Sequence, residues 1–180
     1  MAIPNTVANG MISGVIGEIS HYGPTRVTAA VISSADEKKN LFGRAYTYND
    51  DSVDSVDSVD SVDSVDSVES VQVGGDGAFA GIMINPKAYR IGEEYARNGT
   101  QGEFLTMGEI NAEITAGVKR INAPVVFSPD DGSLSAKATA EAGDLVIGFV
   151  SRHIESAESP HLCVIRLTEI PYTVAAKEGE

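Results

Sequence analysis

Three histidines and one cysteine are the side chains of this 180-residue chain that a metal site or a nucleophile would most readily use. His21 lies beside a Gly-Pro turn signal, whereas His153 and His161 lie at the ends of predicted strands. No two of them have the spacing of an HxH or HExxH motif. Cys163 lies in the apolar run Leu-Cys-Val-Ile, which favours a small core side chain over a reactive thiol.

A glycine-rich segment contains a variant of the dinucleotide-binding fingerprint at Gly75, Gly77 and Ala80. That fingerprint requires a strand leading into a helix whose N-terminus faces pyrophosphate. The residues that follow, 82–84, are Ile-Met-Ile and are typical of a strand. We therefore expect a tight turn or bulge at which backbone passes close to backbone.

Two further candidates for catalysis have simpler explanations. Ser133 follows Asp-Gly, which is hairpin turn chemistry, and the chain has no GxSxG nucleophile elbow. Glu93 and Glu94 are paired acids on a stretch expected to be solvated. We predict no catalytic, cofactor-binding or metal-binding residues, and therefore a protein that is not an enzyme.

Charge and composition exclude several classes of partner. The chain has 13 Lys and Arg against 26 Asp and Glu, a net charge of −13, so electrostatic attraction to nucleic acid or an anionic membrane cannot drive its function. It has no long apolar run, and its first ten residues lack the features of a secretory signal. A single cysteine allows no internal disulfide. These features predict a protein made in the cytoplasm that binds neither nucleic acid nor membrane.

Residues 51–71 form a low-complexity insert in which Asp-Ser-Val occurs six times and Glu-Ser-Val once. Eight acids and no base lie between Asp50 and Glu69, which leaves 18 acids against 13 bases elsewhere, a net charge of −5. Valine at every third position makes neither a helix stripe nor a strand face. Two interpretations stay open: an expanded, solvated loop, and a calcium-binding or adhesive repeat built on hard oxygen ligands.

Short β-branched segments bounded by Gly, Pro, Asn or Asp predict seven to nine strands. The predicted strands are 14–20, 25–33, 44–48, 79–84, 103–107, 109–118, 124–127, 144–152 and 162–170. At most one short helix is predicted, between Pro86 and Arg97. No βαβ pattern occurs, so the sequence predicts an all-β sandwich or barrel.

The clearest of these strands, 109–118, alternates polar and apolar residues. The side chains expected to face the core are Ile110, Ala112, Ile114 and Ala116. Those expected to face solvent or a partner include Asn111 and Glu113. This pattern predicts a strand buried on one face.

Several short glycine-based motifs occur in an order that resembles the capsid cement, or decoration, proteins of tailed bacteriophages. In the first half they are Gly-Arg-Ala-Tyr-Thr at 43–47, the segment 73–82, and Asn-Pro-Lys at 85–87. In the second half they are Gly-Glu-Ile at 108–110, Asp-Gly-Ser-Leu at 131–134 and Gly-Asp-Leu at 143–145. The resemblance spans most of residues 12–168. The Asp-Ser-Val repeat departs from it, because the family has a short connector there.

This resemblance implies a single jelly-roll-like β-domain over residues 1–180 that carries the insert 51–71 as a long acidic loop. It implies a non-enzymatic virion protein, made in the host cytoplasm, that binds the exterior of an HK97-type capsid and cements neighbouring subunits. The implied partners are the phage major capsid protein and further copies of the chain, as a dimer or trimer. The alternative is a calcium-dependent or adhesive repeat module in which the Asp-Ser-Val tract is the functional part.

Overall fold

The computed structural model describes residues 14–20, 23–49, 70–86, 95–153 and 160–175. These residues form nine strands and one 3-10 turn, Glu37–Lys39, which confirms the predicted all-β class. The strands are β1 (Arg26–Ile32), β2 (Ala45–Tyr48), β3 (Ser70–Val73), β4 (Phe79–Met83), β5 (Gln101–Gly117), β6 (Pro124–Phe127), β7 (Leu134–Ala136), β8 (Leu145–His153) and β9 (His161–Thr173). Most of the insert, 51–69, and most of the predicted helix, 87–94, lie outside the described residues.

The strands close into two five-stranded rings that share β5. The first ring has the order β1-β3-β2-β4-β5, and β5 pairs back with β1. The second has the order β5-β7-β6-β8-β9, and β9 pairs back with β5. Strict antiparallel alternation round a ring needs an even number of strands, so a ring of five must contain a parallel pair. The parallel pairs are β1 with β3 and β5 with β7.

The two rings have the same topology and the same register. In each ring the first strand lies parallel to the third, and every other pairing is antiparallel. Tyr46 of β2 pairs with Gly81, and its counterpart Val125 of β6 pairs with Gly148. The described part of the chain therefore contains one barrel twice, with β5 serving as the last strand of the first barrel and the first strand of the second.

This internal repeat shows what has been added to the first barrel. In the second barrel, Phe127 pairs with Leu134, and only residues 128–133 join them. In the first barrel the equivalent pair is Tyr48 with Val71, and 22 residues join them. The repeat tract therefore replaces a six-residue hairpin turn, which supports the loop interpretation of the insert.

The two ends of the insert are fastened to each other. The Asn49 N–H donates to the Ser70 carbonyl at 3.0 Å, and Asn49 Nδ2 lies 2.9 Å from Ser70 Oγ. Ser70 and Val71, the last two residues of the repeat, belong to β3, and Val71 has no exposed surface. The hydrogen bonds between Asn49 and Ser70 therefore close the hairpin formed by β2 and β3.

Each barrel encloses its own apolar core. Tyr46 and Phe104 fill the first, with ring centroids 5.0 Å apart. Ile110, Ile114 and Ile165 lie fully buried in the second. The second core also contains three residues from strands of the first barrel, Ala45, Ile82 and Leu105. Side chains of the first barrel that point away from its own core therefore join the two barrels.

Strand β5 follows the predicted alternation with two exceptions. Ile110, Ala112 and Ile114 are buried as predicted, whereas Ala116 is exposed because a register shift after Ile114 interrupts the alternation. Asn111, predicted to face solvent, is 3% exposed. The segment 14–20, which precedes β1, covers Asn111, since a Cβ built on Gly14 would come within 2.7 Å of the Asn111 amide.

The predicted strand over 14–20 is wrong. The segment forms a tight turn followed by a single bridge between Ile19 and Ile110. Gly17, which has a φ of 82°, lies within this turn. The predicted strands 103–107 and 109–118 are parts of the continuous strand β5.

Ile110→Asp is expected to lower the free energy of unfolding by about 3 kcal/mol or more, because it places an unpaired carboxylate in the second core. We choose Ile110 because its neighbour on β9 is Ile165, whereas Ile114 lies beside His161, which could pair with a new acid. Glu113→Ala, on the other face, should change stability by less than about 0.5 kcal/mol. Urea unfolding curves measure both, and equal losses would contradict the assigned faces.

Deletion of residues 54–68 leaves seven residues between Tyr48 and Val71, close to the six of the second barrel. We expect this variant to fold with unchanged or slightly higher stability, because shortening the loop lowers the entropy cost of closing it by about 1 kcal/mol. Circular dichroism and urea unfolding test this. Loss of cooperative unfolding would show that the tract takes part in the fold.

Candidate functional site

The glycine-rich segment lies where the two barrels touch. Gly74 and Gly75 have φ values of 67° and 81°, and the Gly75 N–H donates to the Pro129 carbonyl at 2.7 Å. The second barrel contributes Gly132, whose N–H lies in a tight turn and whose added Cβ would come 2.3 Å from the Ala45 carbonyl oxygen. The predicted close approach of backbone to backbone is confirmed. The residues that follow form β4, so no helix N-terminus faces this turn.

An ion pair crosses the same junction. Arg44 Nη1 lies 2.9 Å from Asp131 Oδ2, and Asp131 Oδ1 accepts the Ser133 N–H at 3.0 Å. Burial alone would raise the pKa of Asp131, but hydrogen bonds from Ser133 and the charge of Arg44 lower it below its ordinary value of 3.8. Ser133 therefore serves the hairpin turn, as predicted, and Asp131 holds the turn against the first barrel.

His153 and His161 meet at the end of the second barrel, a contact that their sequence spacing did not predict. Their ring centroids are 5.3 Å apart, and His161 is only 2% exposed. Strands β8 and β9 are antiparallel and pair His153 with Cys163, so the side chains of all three residues lie on one face. Burial, and then the charges of His161 and Lys119, lower the pKa of His153.

Cys163 is fully buried, as predicted. Burial raises the pKa of its thiol to about 12, so it stays protonated at neutral pH and is a poor nucleophile. Within the described ranges, no three His, Cys, Asp or Glu side chains lie close enough to hold a metal ion. His21, Glu93 and Glu94 lie outside those ranges. None of the helical structure described is long and apolar enough to span a membrane.

Exposed apolar side chains lie both on connecting segments and on strands. Val15 and Ile16 lie on the turn before β1, and Ile121 lies between β5 and β6. Ile170 is 79% exposed where β9 bulges between its pairings with β8, and the ion pair of Arg26 with Glu169 flanks it. Closed rings leave little free sheet edge, so connecting segments and the outer faces of strands are the surfaces available for contact with other molecules.

Two fused barrels with apolar side chains exposed on connections and strands define the described part of the chain as an all-β protein. The family model described as structural cement protein (E217 gp24/Pam3 gp6) matches residues 3–168. The chain therefore belongs to the structural cement protein family. It is a structural component of the phage virion that associates with phage capsid proteins.

A solved structure shows the same fold. A chain from the capsid of Myoviridae phage XM1 aligns with a TM-score of 0.59 and 16% identity, over 92% of this chain and 97% of that one. The N base of head fiber gp8.5 from bacteriophage phi29 aligns at a TM-score of 0.46 and 10% identity, over 84% and 100%, a likeness too distant to carry an argument. No curated protein matches.

Gly132→Ala tests the junction, with Gly143→Ala as its matched control. Both glycines have positive φ values, 65° and 90°, so both variants incur about 1–2 kcal/mol of backbone strain. A Cβ on Gly143 meets nothing within 4 Å, whereas one on Gly132 meets the Ala45 carbonyl. Gly132→Ala should therefore cost about 2 kcal/mol more in urea unfolding. Equal costs would mean that the barrels do not press together there.

His153 should make stability depend on pH. Its pKa in the folded protein lies below 6.5, so the unfolded chain takes up a proton more readily, and the free energy of unfolding should fall as pH decreases from about 7 towards 5. His153→Gln should show a flatter dependence in urea unfolding between pH 5 and 8. Parallel curves for the two proteins would contradict the buried histidine pair.

Proposed function

We propose that this protein binds the outer surface of an HK97-type capsid and cements neighbouring subunits of the major capsid protein. The observation that carries this proposal is the family match over residues 3–168, which includes every strand of the first barrel and nearly all of the second. The shared fold with a chain of the XM1 capsid is consistent with it.

The barrel architecture suits this role. Strand β5 is hydrogen-bonded within both barrels, so we infer that the chain works as one domain and that load applied to one barrel reaches the other through a continuous strand. A cement must hold two neighbouring subunits at a fixed separation. Many modest contacts repeated over a shell then add up through multivalency.

The remaining partners follow from charge and symmetry. A chain of net charge −13 has no electrostatic attraction to nucleic acid or anionic membranes, and we propose neither as a partner. Cyclic symmetry axes of a shell favour a homo-oligomer, a dimer or a trimer. We propose synthesis in the host cytoplasm, and no catalytic, cofactor-binding or metal-binding role for any residue.

Rebinding to stripped capsids tests this function. Capsids of the source phage, freed of the protein, should take it up to a fixed copy number per shell and become more resistant to heat. Sedimentation of capsids with labelled protein measures the uptake, and Ile110→Asp serves as a control for the need of a folded core. Protein that stays in the supernatant while capsids pellet would refute the proposal.

A further inference from the structure

The internal repeat makes the segment before β2 equivalent to the segment before β6. Gly43 and Asn122 are the counterparts, and both have a left-handed backbone, with φ values of 74° and 60°. The Gly43 N–H donates to the Met83 carbonyl, and the Asn122 N–H to the Val150 carbonyl, each at 2.8 Å. The same backbone geometry therefore occurs at one end of each barrel.

The first of these two places is covered by the chain itself. A Cβ built on Gly43 would come within 2.5 Å of Ile16 Cγ2, and Asn85 bonds the same turn, its N–H donating to the Gly17 carbonyl at 2.9 Å. The segment that covers this place precedes β1. The backbone geometry at Gly43 therefore accepts an aliphatic side chain, here Ile16, from the segment that precedes the first strand of the barrel.

Among the residues that the structure describes, none covers the equivalent place on the second barrel. The counterpart of Phe42 there is Ile121, which is 48% exposed next to the exposed Asn122. The second barrel cannot supply its own covering segment, because the residues that precede its first strand are the first half of β5 and are paired in the first barrel.

Three exposed cations lie on the chain segments next to Ile121. Lys119 and Arg120 directly precede it in sequence, and Arg152 lies on β8 two residues after Val150, whose carbonyl accepts the Asn122 N–H. Arg120 donates to the Ala138 carbonyl and Arg152 to Ser20 Oγ, so within the described chain no carboxylate pairs with any of the three. In a protein with twice as many acids as bases, this is a basic surface with an aliphatic centre.

The chain itself carries a segment of complementary chemistry. Between Asp50 and Glu69 lie eight acids, no base, and a valine in every triplet. We propose that the Asp-Ser-Val tract of one copy binds the basic surface of a second copy, which we define as Lys119, Arg120, Ile121 and Arg152. Carboxylates of the tract would pair with the cations, and a valine would cover Ile121 as Ile16 covers Gly43.

The position of the tract favours a second copy over the same chain. The barrels touch at Ala45 and Gly132, and the tract leaves β2 at Tyr48, the end of that strand away from this junction. Ile121 precedes β6, whose other end leads into the junction turn. The residues at which the tract joins the fold and the basic surface therefore lie on opposite sides of the junction, so a contact between copies would link them head to tail and close rings when the rotation allows.

The test needs no capsid, so its result is independent of whether the proposed capsid binding is correct. Sedimentation velocity of the full chain should show association that grows with concentration and weakens in high salt, and the variant lacking 54–68 should stay monomeric. A labelled peptide of six Asp-Ser-Val triplets should bind this shortened variant in fluorescence anisotropy. The peptide with Asn in place of Asp should not bind.

Variants of the basic surface locate the contact. Lys119→Glu and Ile121→Ser in the shortened protein should each weaken peptide binding by roughly tenfold. The controls, Lys38→Glu and Ile170→Ser, change an exposed cation and an exposed isoleucine elsewhere and should leave the affinity unchanged.

Three results would overturn the proposal. The first is absence of peptide binding. The second is that Lys38→Glu weakens peptide binding as much as Lys119→Glu does, which would mean that the affinity depends only on the overall charge of the protein. The third is a full chain that stays monomeric at every concentration although the peptide binds the shortened variant, which would place each tract on its own basic surface.

Discussion

The whole structure depends on backbone hydrogen bonding along both edges of β5. The first half of this strand lies between β1 and β4, and the second half between β7 and β9. Each ring closes only because β5 supplies its final edge, so neither barrel has its complete set of strands without it. Because unpaired backbone groups buried between strands are costly, this sharing makes the two barrels interdependent. Ala45, Ile82 and Leu105 strengthen the dependence by adding side chains of the first barrel to the second core.

Local sequence patterns were sufficient to predict most strands but not their arrangement. Alternation and turn residues identified the segments that became β1, β2, β4, β5, β6, β8 and β9, because those signals act over a few residues. Ring closure depends on pairs such as Ala30 with Gly102, which are far apart in sequence and leave no local trace. Strand β3 was missed because its first two residues complete the repeat, and β7 because three residues beside a turn carry too little pattern.

The candidate surfaces were harder to predict, for a related reason. His153 and His161 meet only because the two strands are antiparallel and in a particular register. Asn111 is buried only because a turn some ninety residues earlier in the chain lies over it. By contrast, Cys163, Ser133 and the glycines at the junction were interpreted correctly, since a short apolar run, an Asp-Gly turn and a glycine pair each constrain their surroundings directly.

Because the two barrels have the same topology, each position of the first barrel can be compared with its counterpart in the second. At nearly every strand position the two agree in register, although the side chains differ: Phe104 occupies the place of Ile165, and Tyr46 that of Val125. Two differences stand out against this agreement, the tract between β2 and β3 and the uncovered surface at Ile121. The first adds acid and valine to one barrel, and the second leaves cations and an isoleucine unmatched on the other. Because the rest of the repeat is shared in geometry, these two departures are the places at which the described barrels differ most in the surface chemistry they offer.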